Sequence, residues 1–432
     1  MEFKNFFGKM FHDVDLQENL FFAAVFAVSL SFAVIQKPEM IFLPVLLIAF
    51  NLQRILENPE IAFAFFALSS LFNSVQNVFP QGINIAIVTF PVLIFALAMN
   101  FAKKRNFLRN SFFGKTVLLF AFFVILMFFS AFWSPNSNDA FQRFLKFLFF
   151  AATLFFAPAL IDFNFASIRR FALVFFASIF GIAIGLTANS VFFYFPGIFT
   201  DFFVSNTSFV GLFFAAGFFS SLFFFFQSSR RVSKLFFGIA LFFMLFSVFA
   251  IKSVGPVLDL FFGILLMFLL CKAVRGKSLK YLVFAVVVSS IAAAFLLQAG
   301  FFNFLQPSVL LSDNNILTRL TMYDAALKLT FENPVLGYGL GSFPIVAQKF
   351  DSIKGIVDSL KREPYPHNIF LEASSEPGLI GLAVLLVFLI FVFCIFWKKF
   401  KSIESAGLGN ALLFALILLN SPLFPLTFPP SG

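Results

Sequence analysis

Long apolar runs alternate along this chain with short polar segments that carry most of its charge. The runs fall at about 20–36, 40–53, 61–79, 83–101, 116–133, 141–162, 170–189 and 209–227. Others follow at about 235–250, 256–272, 281–298, 377–397 and 408–426, most of them near the length that a hydrocarbon core of roughly 30 Å requires of a helix. The second run is short, and Pro422, Pro425, Pro429 and Pro430 crowd the last. A segment in lipid must satisfy its own backbone N–H and C=O groups, so the runs are predicted to be helices. The pattern predicts an all-α polytopic integral membrane protein with about 12–13 transmembrane helices.

One interval breaks this rhythm. Residues 299–376 hold no spanning run and are predicted to form a large loop with short helices of its own. The chain then divides into N-terminal transmembrane helices (1–298), the loop (299–376) and C-terminal transmembrane helices (377–432). Basic clusters set the orientation. Lys103, Lys104, Arg105, Arg109 and Lys115 form one; Arg169 with Arg170, Arg230 to Lys234, Lys272 to Lys280, and Lys398 to Lys401 form the others. Each lies an even number of spans from the next, so all are predicted to face the cytoplasm together with the N-terminus. By the same count the 299–376 loop faces outward. Trp133 and Trp397 stand at span ends, where interfacial anchors belong. The mixed-charge start, MEFKNFFGKMFHDVDLQEN, precedes a run without a small-residue cleavage site, so the first helix is expected to stay as an anchor.

Composition narrows the classes further. Of 432 residues, 61% are hydrophobic and 12% charged, and the mean hydropathy is +0.98, a balance that belongs in a bilayer. The net charge of +10 sits in the short clusters between spans, so it reports topology and implies no nucleic-acid partner. Cys271 and Cys394 lie at or inside apolar segments and imply no disulfide framework. The 81 phenylalanines are well suited to lipid, but nothing in the sequence explains why Phe stands where Leu is usual. Matching pairs of Gly- or Pro-broken spans do not recur, which argues against a transporter built on inverted repeats.

Polar chemistry is concentrated between Thr318 and Gly381. One of only two histidines, His367, lies there; the other, His12, sits beside Asp13 near the start and is expected to be solvated. Three of the five tyrosines, Tyr323, Tyr338 and Tyr365, lie there too. From Asn315 to about Phe331 the spacing of Leu320, Tyr323, Leu327 and Phe331 predicts an amphipathic helix, with Asp313 or Asn314 as its cap. Arg319 and Tyr323, at i and i+4, share a face. Asn333-Pro334 ends the helix, and Gly337-Tyr338-Gly339-Leu340-Gly341 follows, either a plain turn or a backbone cradle for a ligand. Pro364-Tyr365-Pro366 stiffens the approach to His367-Asn368, and an apolar helix bearing Glu372 and Glu376 enters the membrane near Pro377. His367, Glu372 and Glu376 follow no established zinc spacing, so His367 is either a structural hydrogen-bonding residue or a base. Elsewhere, Arg143 either pairs with Asp139 at i and i+4 or offers its charge outward. Asp259, inside an apolar run, either pairs with Lys252 or has a functional role.

The order Arg319, Tyr323, Ala326, Pro334, Gly337-Tyr338-Gly339, Phe343, His367-Asn368, Leu371, Glu376-Pro377-Gly378 and Gly381-Leu382 resembles the signature of the O-antigen ligase/polymerase family. That family includes lipid A-core O-antigen ligases, O-antigen polymerases and bacterial protein O-oligosaccharyltransferases. The resemblance covers roughly a seventh of the chain, with the surrounding spans agreeing in number and hydropathy. It implies a multi-pass enzyme of the bacterial inner membrane whose periplasmic loop transfers a glycan from an undecaprenyl-diphosphate carrier to a hydroxyl acceptor, lipid A-core or another glycan. By the same resemblance, His367 is the base for the acceptor hydroxyl and Arg319 a clamp on the diphosphate, roles suited to a near-neutral imidazole and a bidentate guanidinium. Tyr323, Gly337, Tyr338, Gly339, Asn368, Glu376, Arg143 and Lys252 are the expected substrate-binding residues, and neither a cofactor nor a metal is expected.

The sequence departs from the family pattern in two places. No arginine occurs from Phe171 to Ser229, where members often carry one in an outer loop, and Ser253-Val254-Gly255 stands where members often have Ser-Arg-Gly. Arg143 and Lys252 are the cations available in compensation, the lysine as a point charge only. Ligation of O-antigen to lipid A-core is the expected activity. A polymerase extending the lipid-linked chain is the alternative, and a transporter of lipid-linked oligosaccharide a more distant one.

Overall fold

The computed structural model describes residues 16–35, 42–75, 86–103, 111–145, 147–148, 161, 165–193, 207–228, 230–250, 256–257, 259–261, 263–264, 314–360, 364–366 and 368–403. Among these every regular element is helical, as the apolar pattern requires. The helices used below are α1 (Leu16–Ile35), α2 (Phe42–Phe50), α3 (Leu52–Glu57), α4 (Pro59–Val75), α5 (Ala86–Lys103), α6 (Ser111–Ser130), α7 (Phe165–Phe193), α8 (Thr207–Gln227) and α9 (Arg231–Ala250). After them come α10 (Asn314–Glu332), α11 (Phe343–Val346), α12 (Asp351–Leu360), α13 (Ile369–Ser375) and α14 (Gly378–Ile403).

The described helices track the predicted runs. Three are long and apolar enough to cross a membrane, over Arg169–Thr187, Val210–Gln227 and Arg231–Phe249. Shorter apolar stretches occur at Leu20–Ser31, Pro59–Ser69, Val88–Asn100, Phe120–Trp133 and Gly378–Ile390. The protein is an all-α membrane protein. The short second run is broken into α2 and α3 at Asn51, whose side-chain amide donates to the Leu47 carbonyl at 2.9 Å and closes the first piece. The predicted spans at about 281–298 and 408–426 lie outside the described residues.

The chain forms two compact units, each drawn from separated stretches of sequence. The first holds α1 to α5 and α7 to α9, with α1 packed along α7 and α8 along α9. Its phenylalanines pack ring against ring: Phe176 lies within 5.2 Å of Phe180 and 5.3 Å of Phe237, centroid to centroid, and Phe224 within 5.1 Å of Phe237. Among the described residues here, one ion pair has a buried carboxylate and a half-buried guanidinium. Arg170, in the basic cluster predicted to mark a cytoplasmic end, places Nε 2.6 Å from Oε1 of Glu60 on α4, whose side chain is 3% exposed.

The second unit holds α6, residues 137–145, α10 to α13 and most of α14. Its loop core gathers Met322, Ala325, Ala326 and Leu329 of α10 around Phe343, Ala347 and Ile353. A second cluster joins Ala131, Ala140 and Phe144 to Leu340. The small Ala325 and Ala326 bring α10 close to α13, and Thr330 meets Ser374 across that contact at 2.9 Å.

The helix predicted at 315–331 is present, but its faces are the reverse of the expected ones. Leu320, Leu327 and Phe331 are exposed and Tyr323 is half-buried, while Met322, Ala325, Ala326 and Leu329 form the packed face. Periodicity finds a helix and its stripes; it does not say which stripe meets protein when both are apolar.

Candidate functional site

The core of the site is the turn between α10 and α11. After Asn333-Pro334 the backbone passes through Gly337 (φ 62°), Gly339 (φ 93°) and Gly341 (φ 68°), a region that L side chains rarely adopt. Close packing explains the second glycine independently: a Cβ on Gly339 would lie 2.6 Å from both Cα and N of Ser134. The turn is pressed against the polar link that follows α6.

Every amide from Gly337 to Gly341 donates to the protein itself. Gly337 N–H donates to Asn333 O at 3.1 Å, Tyr338 N–H to Ser375 O at 3.1 Å, Gly339 N–H to Glu376 O at 2.8 Å and Leu340 N–H to Ser130 O at 3.3 Å. The Glu376 side chain completes the set, accepting from Gly341 N–H through Oε2 at 2.7 Å and from Phe343 N–H through Oε1 at 3.2 Å. Glu376 is 1% exposed. The glycine segment is thus a turn latched by one buried carboxylate, with its donors committed to internal acceptors.

Around that latch lies a second, half-buried set that sequence reasoning did not assign to the site. Tyr365 donates its hydroxyl to Oε1 of Glu372, one helical turn before Glu376 on α13. Burial, then the charge of Glu376, raises the Glu372 carboxyl well above the usual range, to about 8. Burial raises Glu376 to about 7, opposed by the Gly341 and Phe343 amides and by Arg143. The two N–H donors favour the Glu376 anion over that of Glu372. Burial and both carboxylates hold the Tyr365 phenol well above its ordinary value. Two glutamates four apart, Glu372 within α13 and Glu376 at its C-terminal cap, were the sequence signal for this pair.

The other predicted residues distribute around this core. Arg143 is half-buried; its side chain packs on Gly341, where a Cβ would lie 2.7 Å from its Cδ, and its charge acts on Glu372, Glu376 and Tyr365. Asn368 caps α13, its Oδ1 accepting from Phe370 N–H at 3.0 Å and Leu371 N–H at 3.3 Å. Tyr338 donates its hydroxyl to Glu332 at 2.6 Å, and Lys349 joins the same carboxylate. The Lys349 and Tyr338 hydrogen bonds hold Glu332 below its usual range. Arg319 is exposed on α10 and Tyr323 half-buried one turn later. Asp259 is half-buried in a helical segment of the first unit. His367 and Lys252 lie outside the described residues, although the chain on both sides of His367, at Tyr365-Pro366 and Asn368, is in place.

Among the described residues of this unit, the buried hydroxyls of Ser130, Ser134 and Ser342 have no protein partner, and all three flank the Gly339–Gly341 turn.

A sequence-family profile described as O-Antigen ligase matches residues 239–386. This stretch belongs to the O-antigen ligase family. The match runs from within α9 through α10 to α13 and into α14, and so contains the glycine turn, the glutamate pair, Arg319 and the His367-Asn368 step. Arg143 falls outside it and is brought to the turn by the fold. Comparison with curated proteins gave no match. The O-antigen ligase domain places the chain in the general class of membrane enzymes that ligate or polymerise O-antigen, handling lipid-linked glycans.

Proposed function

We propose that the chain transfers a glycan from an undecaprenyl-diphosphate carrier to a hydroxyl acceptor at the periplasmic face of the bacterial inner membrane, with lipid A-core as the acceptor. The observation that carries this reading is the family match over 239–386, a stretch that holds the glycine turn latched by Glu376 and, in sequence, the His367-Asn368 step.

In the step proposed, the acceptor oxygen attacks the anomeric carbon, its proton passes to His367, and the anomeric C–O bond to phosphate breaks. The bonding pair leaves with the carrier diphosphate, whose charge Arg319 receives through its planar fork. Asn368 fixes the start of α13 through its side-chain cap. Arg143, held by the Gly341 surface and balanced by Glu376, supplies further positive potential within the same unit. Tyr323 stands one turn from Arg319 as a flanking contact for donor or acceptor. Gly337, Tyr338, Gly339 and Glu376 shape the turn that supports these groups.

The test uses the purified full chain with undecaprenyl-diphosphate-linked glycan and lipid A-core, alongside the His367→Ala and Arg319→Lys variants. Transfer to lipid A-core that disappears in His367→Ala and falls in Arg319→Lys supports the assignment. Lengthened lipid-linked chains without transfer to lipid A-core move it to a polymerase. Undiminished transfer in both variants overturns the assigned roles.

A further inference from the structure

The exposed apolar surface of α10 has a neighbour that identifies what covers it. Leu317, Leu320, Leu327 and Phe331 are exposed on one face of the helix, and Phe331 is 80% exposed. At positions i, i+3, i+10 and i+14 they form a single stripe, joined midway by the exposed Asp324–Lys328 ion pair. The stripe runs into Val335 and Leu336 of the exit turn, both also exposed.

Two hydrogen bonds fix the height of that turn against the ends of apolar helices in the same unit. Trp133, at the end of α6, donates Nε1–H to the Leu336 carbonyl at 3.1 Å. Leu379, at the start of α14, donates its amide to the Pro334 carbonyl at 2.7 Å. Both helices show outward apolar rows of their own. On α6 and the 3-10 turn that continues it (Ala131–Trp133) the row is Leu118, Phe122, Ile125, Phe129 and Phe132; on α14 it is Leu379, Leu386, Val387 and Ile390. In a membrane protein such rows at helical spacing face lipid. The α6 row ends at Trp133 and is followed at once by Ser134-Pro135-Asn136-Ser137-Asn138-Asp139, the change from apolar to polar expected where a helix leaves the hydrocarbon. Phe331, Val335 and Leu336 therefore sit level with that boundary and continue the lipid-facing surface beyond the spans.

We propose that α10 and its exit turn rest on the outer leaflet, with Phe331, Val335 and Leu336 inserted among the lipids and the Asp324–Lys328 pair at headgroup level. The outward loop is then a surface-bound element, with the leaflet as its second layer of packing. An interfacial helix of this kind combines an apolar stripe with charges that remain hydrated. The consequence is positional: Arg319 on the same helix is held close to the plane of the lipid phosphates. The inference rests on exposure and on the two hydrogen bonds, and is independent of the activity proposed above.

The test places a single environment-sensitive label on the full chain reconstituted in phosphatidylcholine/phosphatidylglycerol nanodiscs, with Cys271 and Cys394 replaced by Ala. The label goes on Phe331→Cys and, in separate proteins, on Leu320→Cys from the same stripe and on Asp351→Cys, whose side chain is fully exposed at the start of α12. The expected result is blue-shifted emission at 331 and 320 and its loss when spin-labelled phospholipid replaces part of the bilayer, with neither effect at 351. Emission at 331 and 320 that matches 351 and ignores spin-labelled lipid overturns the proposal. So does a blue shift that depends on protein concentration and is indifferent to spin-labelled lipid, which makes the occupant a second copy of the chain. Should Phe331→Cys fail to fold, Leu320→Cys alone gives the same decision.

Discussion

The Glu376 carboxylate and the Gly341 amide are joined at 2.7 Å although they lie 35 residues apart in sequence. Through the same carboxylate Phe343 is also held, and through the Glu376 carbonyl, Gly339. One buried residue thus ties the end of α13 to a turn whose backbone conformation is otherwise costly. Glu376→Gln keeps the volume but replaces one acceptor oxygen with a donor, so one of the two amides loses its partner. The expected loss is about 1–3 kcal/mol of stability, read as a lower thermal unfolding temperature in detergent, together with a fall in glycan transfer.

The glycines divide by what surrounds them. Gly339→Ala forces a left-handed backbone onto a residue whose Cβ meets the Ser134 backbone, so neither side can yield. A loss of at least about 2–3 kcal/mol is expected, seen as poor recovery of folded protein. Gly355→Ala is the contrasting case. It lies within α12 with nothing near its added methyl, and a gain of about 0.5–1 kcal/mol is expected from the stiffer unfolded chain.

Much of this was legible in the chain. The α10 boundaries follow from the periodic run and the Asn333-Pro334 stop, and α14 from its apolar length. The faces of α10 were not legible, because a helix lying between protein and lipid is apolar on both sides. Nor was the role of Glu376: its partners Gly341 and Phe343 are distant in sequence, and local pattern carries no signal for a hydrogen bond of that span. Alternating glycines also fit a ligand cradle on paper, and only the accounting of their N–H groups shows where those donors go.

Tyr338 offers a check on that accounting. Its hydroxyl is engaged by Glu332, with Lys349 completing an exposed cluster that ties α10 to the segment after α11. Tyr338→Phe is expected to cost within about 1 kcal/mol, as exposed charged contacts do. The apparent KM for the lipid-linked donor should be unchanged. A rise in KM without loss of stability would return the hydroxyl to substrate binding.

The Glu60–Arg170 pair of the first unit should behave differently because its carboxylate is buried. Arg170→Ala leaves the Glu60 carboxylate without its partner at 3% side-chain exposure, and a loss of about 3–5 kcal/mol is expected. Replacing both residues, as Glu60→Gln with Arg170→Met, should recover most of it, which a double-mutant cycle on thermal unfolding would measure.

The Glu372–Glu376 pair makes stability depend on pH with a definite sign. Both carboxyls are raised in the folded protein, to about 8 and about 7, from an ordinary value near 4.5. A group whose pKa is raised by folding favours the native state when protonated, so its contribution is complete below about pH 4.5. It declines as pH rises through about 7 and about 8. The unfolding temperature of the wild-type protein should therefore fall between pH 6 and pH 9, opposite to the trend set by a salt-bridged carboxylate. Glu372→Gln is neutral at every pH and keeps an acceptor for Tyr365, so it should flatten that slope while leaving stability at pH 5 close to wild type. An unchanged slope in Glu372→Gln would show that Glu372 is not the source of that pH dependence.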